Sequence, residues 1–259
     1  MLFPFNFLGS AFDPNAQAFI SAAGITNPTQ QNAINQLVIN LKADGLWTKM
    51  KAVYPMVGGT AYSCKYNLVN PQDTDAAFRL VFNGGWTFDN NGATPNGTNG
   101  YADTKLIPSS VLSISSAHFS KYNRTNDLIG NKIDGSRGAS DILFFQQNYS
   151  AGNAIIGDVT SLATYIPTDT RGLFNVTRTA TNSIKVFQNS TNIVSNVNSI
   201  TGLPIYSIFI GARNDLNTAV FYNTYQTAFA SIGDGLTDTD ALNLYNRVQT
   251  FQISLSRQV

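Results

Sequence analysis

The chain has 259 residues with only 12% charged side chains, and all fifteen acidic residues are aspartate. That is about half the usual charged share of ~25%, and 29 asparagines and 20 glycines fill the gap. A net charge of +1, with eight lysines and eight arginines scattered without a run, excludes a polyanion binder such as a nucleic-acid protein, while 43% hydrophobic residues exclude disorder.

Residues 1–12 form an aromatic arm carrying Phe3, Phe5, Phe7 and Phe12, punctuated by Pro4 and Gly9. Four phenylalanines on a short arm cannot bury one another, so the arm packs on its own domain or on another subunit. It has no basic leader segment and does not read as a secretory signal. Asp13-Pro14 predicts a helix N-cap and first turn, with Gly24 as its stop. Asn27-Pro28-Thr29-Gln30 repeats the device, with Gln30 in the capping-box position, and Ile34, Leu37, Val38, Leu41 and Gly45 then share one helix face. The polar face of this helix holds Asn and Gln rather than charge. Residues 13–49 therefore read as a helical anchor segment, with Ile34, Leu37, Val38 and Leu41, together with Phe3, Phe5 and Phe7, as subunit contacts.

From residue 50 onward the pattern changes to short β-branched and aromatic runs at 51–55, 76–82, 111–115, 142–146, 183–188, 205–210 and 220–225. Clusters such as Asn83-Gly84-Gly85, Asn90-Asn91-Gly92 and Asp134-Gly135 separate them. Many short strands with regular turns predict a mostly β fold, an antiparallel jelly-roll sandwich over 50–259. The single Cys64 excludes an internal disulfide, and one cysteine with one histidine, His118, cannot build a zinc site of several thiolates or imidazoles. No apolar run reaches the roughly 20 residues of a membrane span. At the C-terminus, Thr237 is an N-cap, Asp238 and Asp240 meet the positive end of the helix dipole, and Ala241, Leu244, Tyr245, Val248, Phe251 and Leu255 fall on one face.

The succession Ile210-Gly211-Ala212-Arg213-Asn214, a strand near 221–225, and the Gly-Leu-Thr-Asp-Thr-Asp-Ala-Leu-Asn-Leu-Tyr helix start at 235–245 are similar to the end of laminin-G-like, concanavalin A-like jelly rolls. The stretch 96–103, Asn-Gly-Thr-Asn-Gly-Tyr-Ala-Asp, resembles an opening strand of that fold. The lead Asp-Pro-Asn-Ala-Gln-Ala-Phe at 13–19, the phrase at 45–59 and the terminal Phe-Gln-x-x-Leu-x-Arg-Gln-Val at 251–259 resemble virion proteins of tailed bacteriophages. The resemblance implies a virion structural protein, tail- or capsid-associated, assembled in a bacterial cytoplasm beside other virion proteins. It also implies a homo-oligomer, with a trimer favoured, displaying a lectin-like jelly roll to cell-surface or mucus glycans.

Related jelly rolls include glycanases with a Glu-x-Asp-x-x-Glu strand, in which two carboxylates flank the scissile bond. A chain without glutamate lacks that site, and Asp73 and Asp75 read as an exposed turn, so an enzyme (a polysaccharide depolymerase) is disfavoured. Nothing around His118 resembles a nucleophile elbow. Asp234, Asp238 and Asp240 lack the glycine and distal carboxylate of an EF-hand loop, whereas Asp127, Asp134 and Asp141 share a loop-rich region. No metal and no cofactor are expected. The candidate glycan site is the loop 83–103, with Trp86, Phe88, Asp89, Asn90, Asn91 and Tyr101, because sugars take an aromatic platform under their C–H face and amides or carboxylates at their hydroxyls. The competing reading makes Trp86 core and the Asn/Gly residues turn formers. Five Asn-x-Ser/Thr triplets, at Asn96, Asn123, Asn148, Asn175 and Asn189, read as chance. The architectural alternative is a virion subunit with no ligand at all.

Overall fold

The structure, a computed structural model, describes residues 12–146, 152–158, 163–165, 168–197 and 201–259. Phe3, Phe5 and Phe7 lie outside the described residues. Helices α1 (Pro14–Ala23) and α2 (Pro28–Ala43) start at the predicted caps: Asp13 accepts from the Asn15 amide and Asn27 from the Gln30 amide. Gly24 ends α1 in the left-handed conformation at φ 65°, which glycine adopts without a Cβ clash. Gln30 is not spent on a capping box, because its side-chain oxygen accepts from the Gly58 amide instead.

Strands follow in chain order with two short helical turns among them. The first are β1 (Met50–Tyr54), then α3 (Ala61–Cys64), β2 (Val81–Asn83), β3 (Trp86–Asp89), β4 (Gly92–Pro95) and β5 (Tyr101–Asp103). Next come α4 (Pro108–Val111), β6 (Ala117–Asn123), β7 (Ile133–Arg137), β8 (Asp141–Gln146), β9 (Gly152–Asp158) and β10 (Ala163–Tyr165). The remainder are β11 (Gly172–Ala180), β12 (Ser183–Gln188), β13 (Thr191–Asn196), β14 (Phe209–Ile210), β15 (Arg213–Asp215), β16 (Thr218–Val220) and β17 (Thr227–Gly233), before α5 (Asp238–Ser254). They form two sheets. The first runs β13-β12-β11-β6-β17-β4-β3, with β1 sharing the β17 edge with β4; the second runs β10-β9-β8-β7-β14-β5-β2. The pairings are antiparallel apart from β15, which lies parallel to β7.

Alternation along the central strands of the first sheet sends side chains into two separate cores. Phe119, Phe174, Ala230 and Ile232 face the second sheet and meet Leu143, Phe145 and Ile210. Tyr122, Leu173, Phe229 and Val53 face the other way, into a second core closed by the helices. Ile34, Leu37, Val38 and Leu41 of α2 sit in that second core with Leu244, Val248 and Phe251 of α5. They are at most 2% exposed. The helix face assigned above to subunit contacts is therefore consumed inside the chain. Fully burying such a side chain contributes about 1.5–3 kcal/mol, which turning it outward would forfeit. Residues 13–49 and the strands share this core, so the helices are one layer of a three-layer arrangement.

Several expected strands differ. In 76–82 only Val81 and Phe82 belong to a strand, because Asp75–Ala77 is a 3-10 turn and Phe78 is left-handed at φ 58°. In 111–115 the chain leaves the α4 turn that Pro108 starts, and only a Ser113–Ser116 bridge follows. Only Phe209 and Ile210 of 205–210 are strand, and in 220–225 the β16 strand stops at Val220 before Phe221 at φ 54°. The segment 83–103 is a hairpin, β3–β4, with strand β5, rather than a loop.

Polar groups inside the fold are paired across layers. Lys121 of β6 donates to Asp134 of β7 at 2.6 Å, and the other Asp134 oxygen accepts from the Gly211 amide at 2.6 Å. Both side chains are at most 2% exposed, so removing either one would strand a buried charge, at a cost of about 3–5 kcal/mol. Among the described residues Arg257 has no carboxylate partner, and it donates to the carbonyls of Pro55, Met56 and Ala228 and to Gln252 Oε1. That fork ties the C-terminal tail to β1 and β17, and burial pulls the guanidinium pKa down to about 9.

His118 points to the helix side of β6 and is fully buried. Its Nδ1 lies 2.6 Å from the Asp234 carbonyl, which can only accept, so Nδ1 carries the proton and Nε2 accepts from Ser231 Oγ at 3.1 Å. Burial lowers its pKa from 6.5 to about 4. The unfolded chain thus takes up the proton first as pH falls. Stability is complete above pH 6.5 and declines between pH 6.5 and about 4, by up to about 3 kcal/mol. Urea unfolding at pH 7 and pH 5 should show this decline, and His118→Gln should flatten it; an equally steep decline in the variant would contradict the assignment.

Candidate functional site

An open cleft of about 320 Å³ lies where α3 approaches the β2 edge, lined by Ala61, Tyr62, Lys65, Arg79, Leu80, Val81 and Phe82. Local chemistry sets its upper wall. Thr60 caps α3 by accepting from the Ser63 amide at 3.1 Å, and Ser63 Oγ accepts from the Thr60 amide at 3.3 Å. This reciprocal cap fixes the turn so that Cys64 points inward while Tyr62 points outward, 56% exposed. The buried Cys64 thiol is pushed up to about 11, so it stays protonated and unreactive.

Tyr66 stands edge-on to Tyr62 with ring centroids 5.5 Å apart. Lys65 Nζ lies 4.5 Å from the Tyr62 centroid and 5.2 Å from that of Tyr66. Burial, with Tyr62 and Asp73 close by, pushes the Tyr66 phenol up to about 12, so Tyr66 is a neutral hydroxyl at physiological pH.

The opposite wall is ionic. Lys65 donates to Asp73 Oδ2 at 2.6 Å, Arg79 Nη1 to Asp73 Oδ1 at 2.7 Å, and Arg79 Nε to Asp75 Oδ1 at 3.0 Å. Lys65 first, and then Arg79, hold the Asp73 carboxyl below the usual carboxylate range. Asp73 and Asp75 are not among the residues that line the cleft, but they neutralise its two cations and remain partly exposed themselves. Asp73 and Asp75, read from sequence as an exposed turn, are thus the anchors of Arg79. The floor is Phe82, held from behind by Trp86 at 5.1 Å and Phe88 at 4.9 Å.

The six residues expected to grip a sugar are not brought to one surface. Trp86 and Phe88 lean on the sandwich core, and Trp86 Nε1 donates to the Asn83 carbonyl at 3.1 Å. Trp86 also needs Gly211, since a Cβ there would lie 3.0 Å from its ring. Tyr101 points to the outer face of the second sheet, opposite to Ala102, and stacks on Phe209 at 4.5 Å. Asp89 accepts from the amides of Asn91 and Gly92 and closes the β3–β4 turn. Asn90 instead borders a small hollow near Asn27 and Ser254. Asn96 likewise accepts from the amides of Thr98, Asn99 and Gly100. These amides and carboxylates shape turns, and of the three aromatic residues Trp86 and Phe88 support the cleft through Phe82 rather than line it, while Tyr101 lies apart.

The other aspartate groupings are separate. Asp127 is held by Lys132 and Thr224, and Asp134 by Lys121. Among the described residues no three His, Cys or Asp side chains converge as metal ligands. Two of the Asn-x-Ser/Thr asparagines, Asn123 and Asn175, are buried. Asn148 lies outside the described residues.

No protein-family model matches the chain, and no curated protein matches it. Solved structures do match. The binding domain of Paraclostridial mosquitocidal protein 1 aligns at TM-score 0.50 and 11% identity over 77% of this chain and 52% of that one. The fold is a jelly roll. The binding domain of botulinum neurotoxin serotype D aligns equally well at TM-score 0.50 and 9% identity, over 77% and 52%. Domain 4 of AbnA, an extracellular GH43 arabinanase of Geobacillus stearothermophilus solved in complex with arabinotriose, aligns at TM-score 0.48 and 13% identity, over 76% of this chain and 98% of that domain. The chain spans about half of each toxin binding domain, and 25% of the NanB sialidase chain of Streptococcus pneumoniae that it also matches.

Placement makes Tyr62 and Trp86 opposite cases for stability. Tyr62→Ala removes an exposed ring and should change unfolding free energy by less than about 0.5 kcal/mol, whereas Trp86→Ala should cost about 3 kcal/mol. Urea denaturation of both variants checks this; equal losses would mean that the cleft wall is part of the core.

Proposed function

We propose that the chain is a glycan-attachment module that binds a neutral sugar in the Tyr62 cleft, and that it is carried on a bacteriophage particle. The cleft carries the first part of this reading. Tyr62 offers an exposed aromatic ring for a sugar's C–H face, and Lys65 and Arg79, held in place by Asp73 and Asp75, offer fixed donors for its hydroxyls. Because each cation is already matched by a carboxylate, the cleft favours an uncharged sugar over an acidic one. The jelly-roll fold is compatible with this role, since the two toxin domains it matches are the binding domains of their proteins.

The particle setting is supported by the phrasing at 13–19, 45–59 and 251–259, and by a surface rich in uncharged Asn, Thr and Gly. An open cleft on one exposed ring gives weak single-site binding, which many copies on a particle would multiply.

A glycan array probed with the full chain, followed by calorimetry on the best hit, tests the reading. Binding of a neutral glycan is expected, with Tyr62→Ala and Arg79→Ala each weakening it by about tenfold or more, or ~1.4 kcal/mol. No binding at millimolar sugar, or binding indifferent to both substitutions, would overturn it.

A further inference from the structure

The outward face of the helix layer carries no unpaired charge among the described residues. No exposed residue of α1, of α2, or of α5 after its first turn is charged. The two cations within these stretches are half-buried and engaged by aspartates just outside the helices: Lys42 by Asp13 at 2.7 Å and Arg247 by Asp44 at 2.6 Å. Exposed helix positions are ordinarily where charged side chains concentrate. Here those positions hold amides and hydroxyls, such as Asn32, Gln36 and Thr250, together with the exposed aliphatic residues Ile39, Leu242 and Ile253. A groove of about 350 Å³ runs between α2 and α5, lined by Ala33, Leu37 and Phe251 and by Arg247, whose charge Asp44 matches. Depletion of charge around an apolar centre is the compositional mark of an interface core.

We propose that two copies of this chain dock through their helix layers, each presenting the same face to the other about a two-fold axis. Three observations select a second copy as the occupant. A face whose two cations are already matched by Asp13 and Asp44 offers little for a charged partner to complement, and it does not repel itself as a face bearing unpaired like charges would. Amide side chains both donate and accept, so Asn32 and Gln36 can pair with their own counterparts across a two-fold axis. Size fits as well. Helices of 10, 16 and 17 residues lie in the order α1-α2-α5. At ~1.5 Å per residue and ~10 Å per helix they present roughly 650 Å², close to the ~800 Å² per partner of a standard interface. Apart from Leu37 in the groove, the residues involved lie on the opposite face of α2 from the one the sequence pattern had pointed to.

Sedimentation velocity of the full chain over a range of micromolar concentrations tests the proposal. The wild type should show a monomer–dimer equilibrium. Ile39→Glu and Thr250→Arg, each of which places a like charge against its own copy or against the apolar centre, should weaken dimerisation by more than about tenfold with unchanged circular dichroism and melting temperature. Thr87→Glu, on the exposed face of β3, should leave the dimer intact. A wild type that is monomeric throughout, or a dimer indifferent to both helix-face substitutions, would overturn the proposal. Neither outcome depends on whether a sugar binds.

Discussion

The sheet that contains β6 and β17 has apolar side chains on both faces, and the rest of the molecule follows from covering them. Every residue of these two seven-residue strands is buried. A jelly-roll sandwich can cover only one face of a sheet, so Tyr122, Phe229 and Leu173 would meet water unless something else packed on them. The helices α1, α2 and α5 supply that cover, and in doing so spend their own apolar stripes. Arg257 fastens the arrangement, since one guanidinium reaches carbonyls at the end of β1 and in β17 from the tail that follows α5. Among the described residues, the outer surface of the helices and the open cleft at Tyr62 remain free of this packing.

The unusual charge composition is explained by how the charges are used. At least twelve of the fifteen aspartates hold a lysine or arginine. Aspartate has one methylene fewer than glutamate, so it pairs close to the backbone and loses less rotamer freedom in doing so. Most of these pairs are partly exposed and each contributes about 0–1 kcal/mol. Their larger effect is to leave little unpaired charge on the surface. The helix face and the neutral cleft are both consequences of that pairing.

Much of the fold was legible in the sequence because it is written locally. Asp13-Pro14, Asn27-Pro28 and the Thr237…Asp240 box each announce a helix through hydrogen bonds within four residues, and all three are found. The run 183–188 is strand as its β-branched pattern implies. The run 76–82 misleads, because its periodicity is overridden by a left-handed Phe78 that swings Arg79 back onto Asp73 and Asp75. The cleft itself was not legible. It joins α3 to the β2 edge through an irregular stretch with no period, and the one local signal, the Thr60/Ser63 cap, says only that a turn exists. Residue type alone pointed to Trp86, Phe88 and Tyr101, whereas strand direction decides which of these reach the surface. For α2 the apolar stripe was identified correctly but its partner was not, since periodicity shows that a face is buried and not against what.

If both faces of the first sheet are essential, the helix layer and the sandwich open together. Native-state hydrogen exchange of the wild-type chain, resolved by residue, measures this directly. The account predicts that the amides of Leu37 in α2, Val248 in α5 and Phe229 in β17 exchange through one common opening, with the same free energy and the same denaturant dependence. Exchange of α1 and α2 through a separate, cheaper opening, with β6 and β17 still protected, would contradict it.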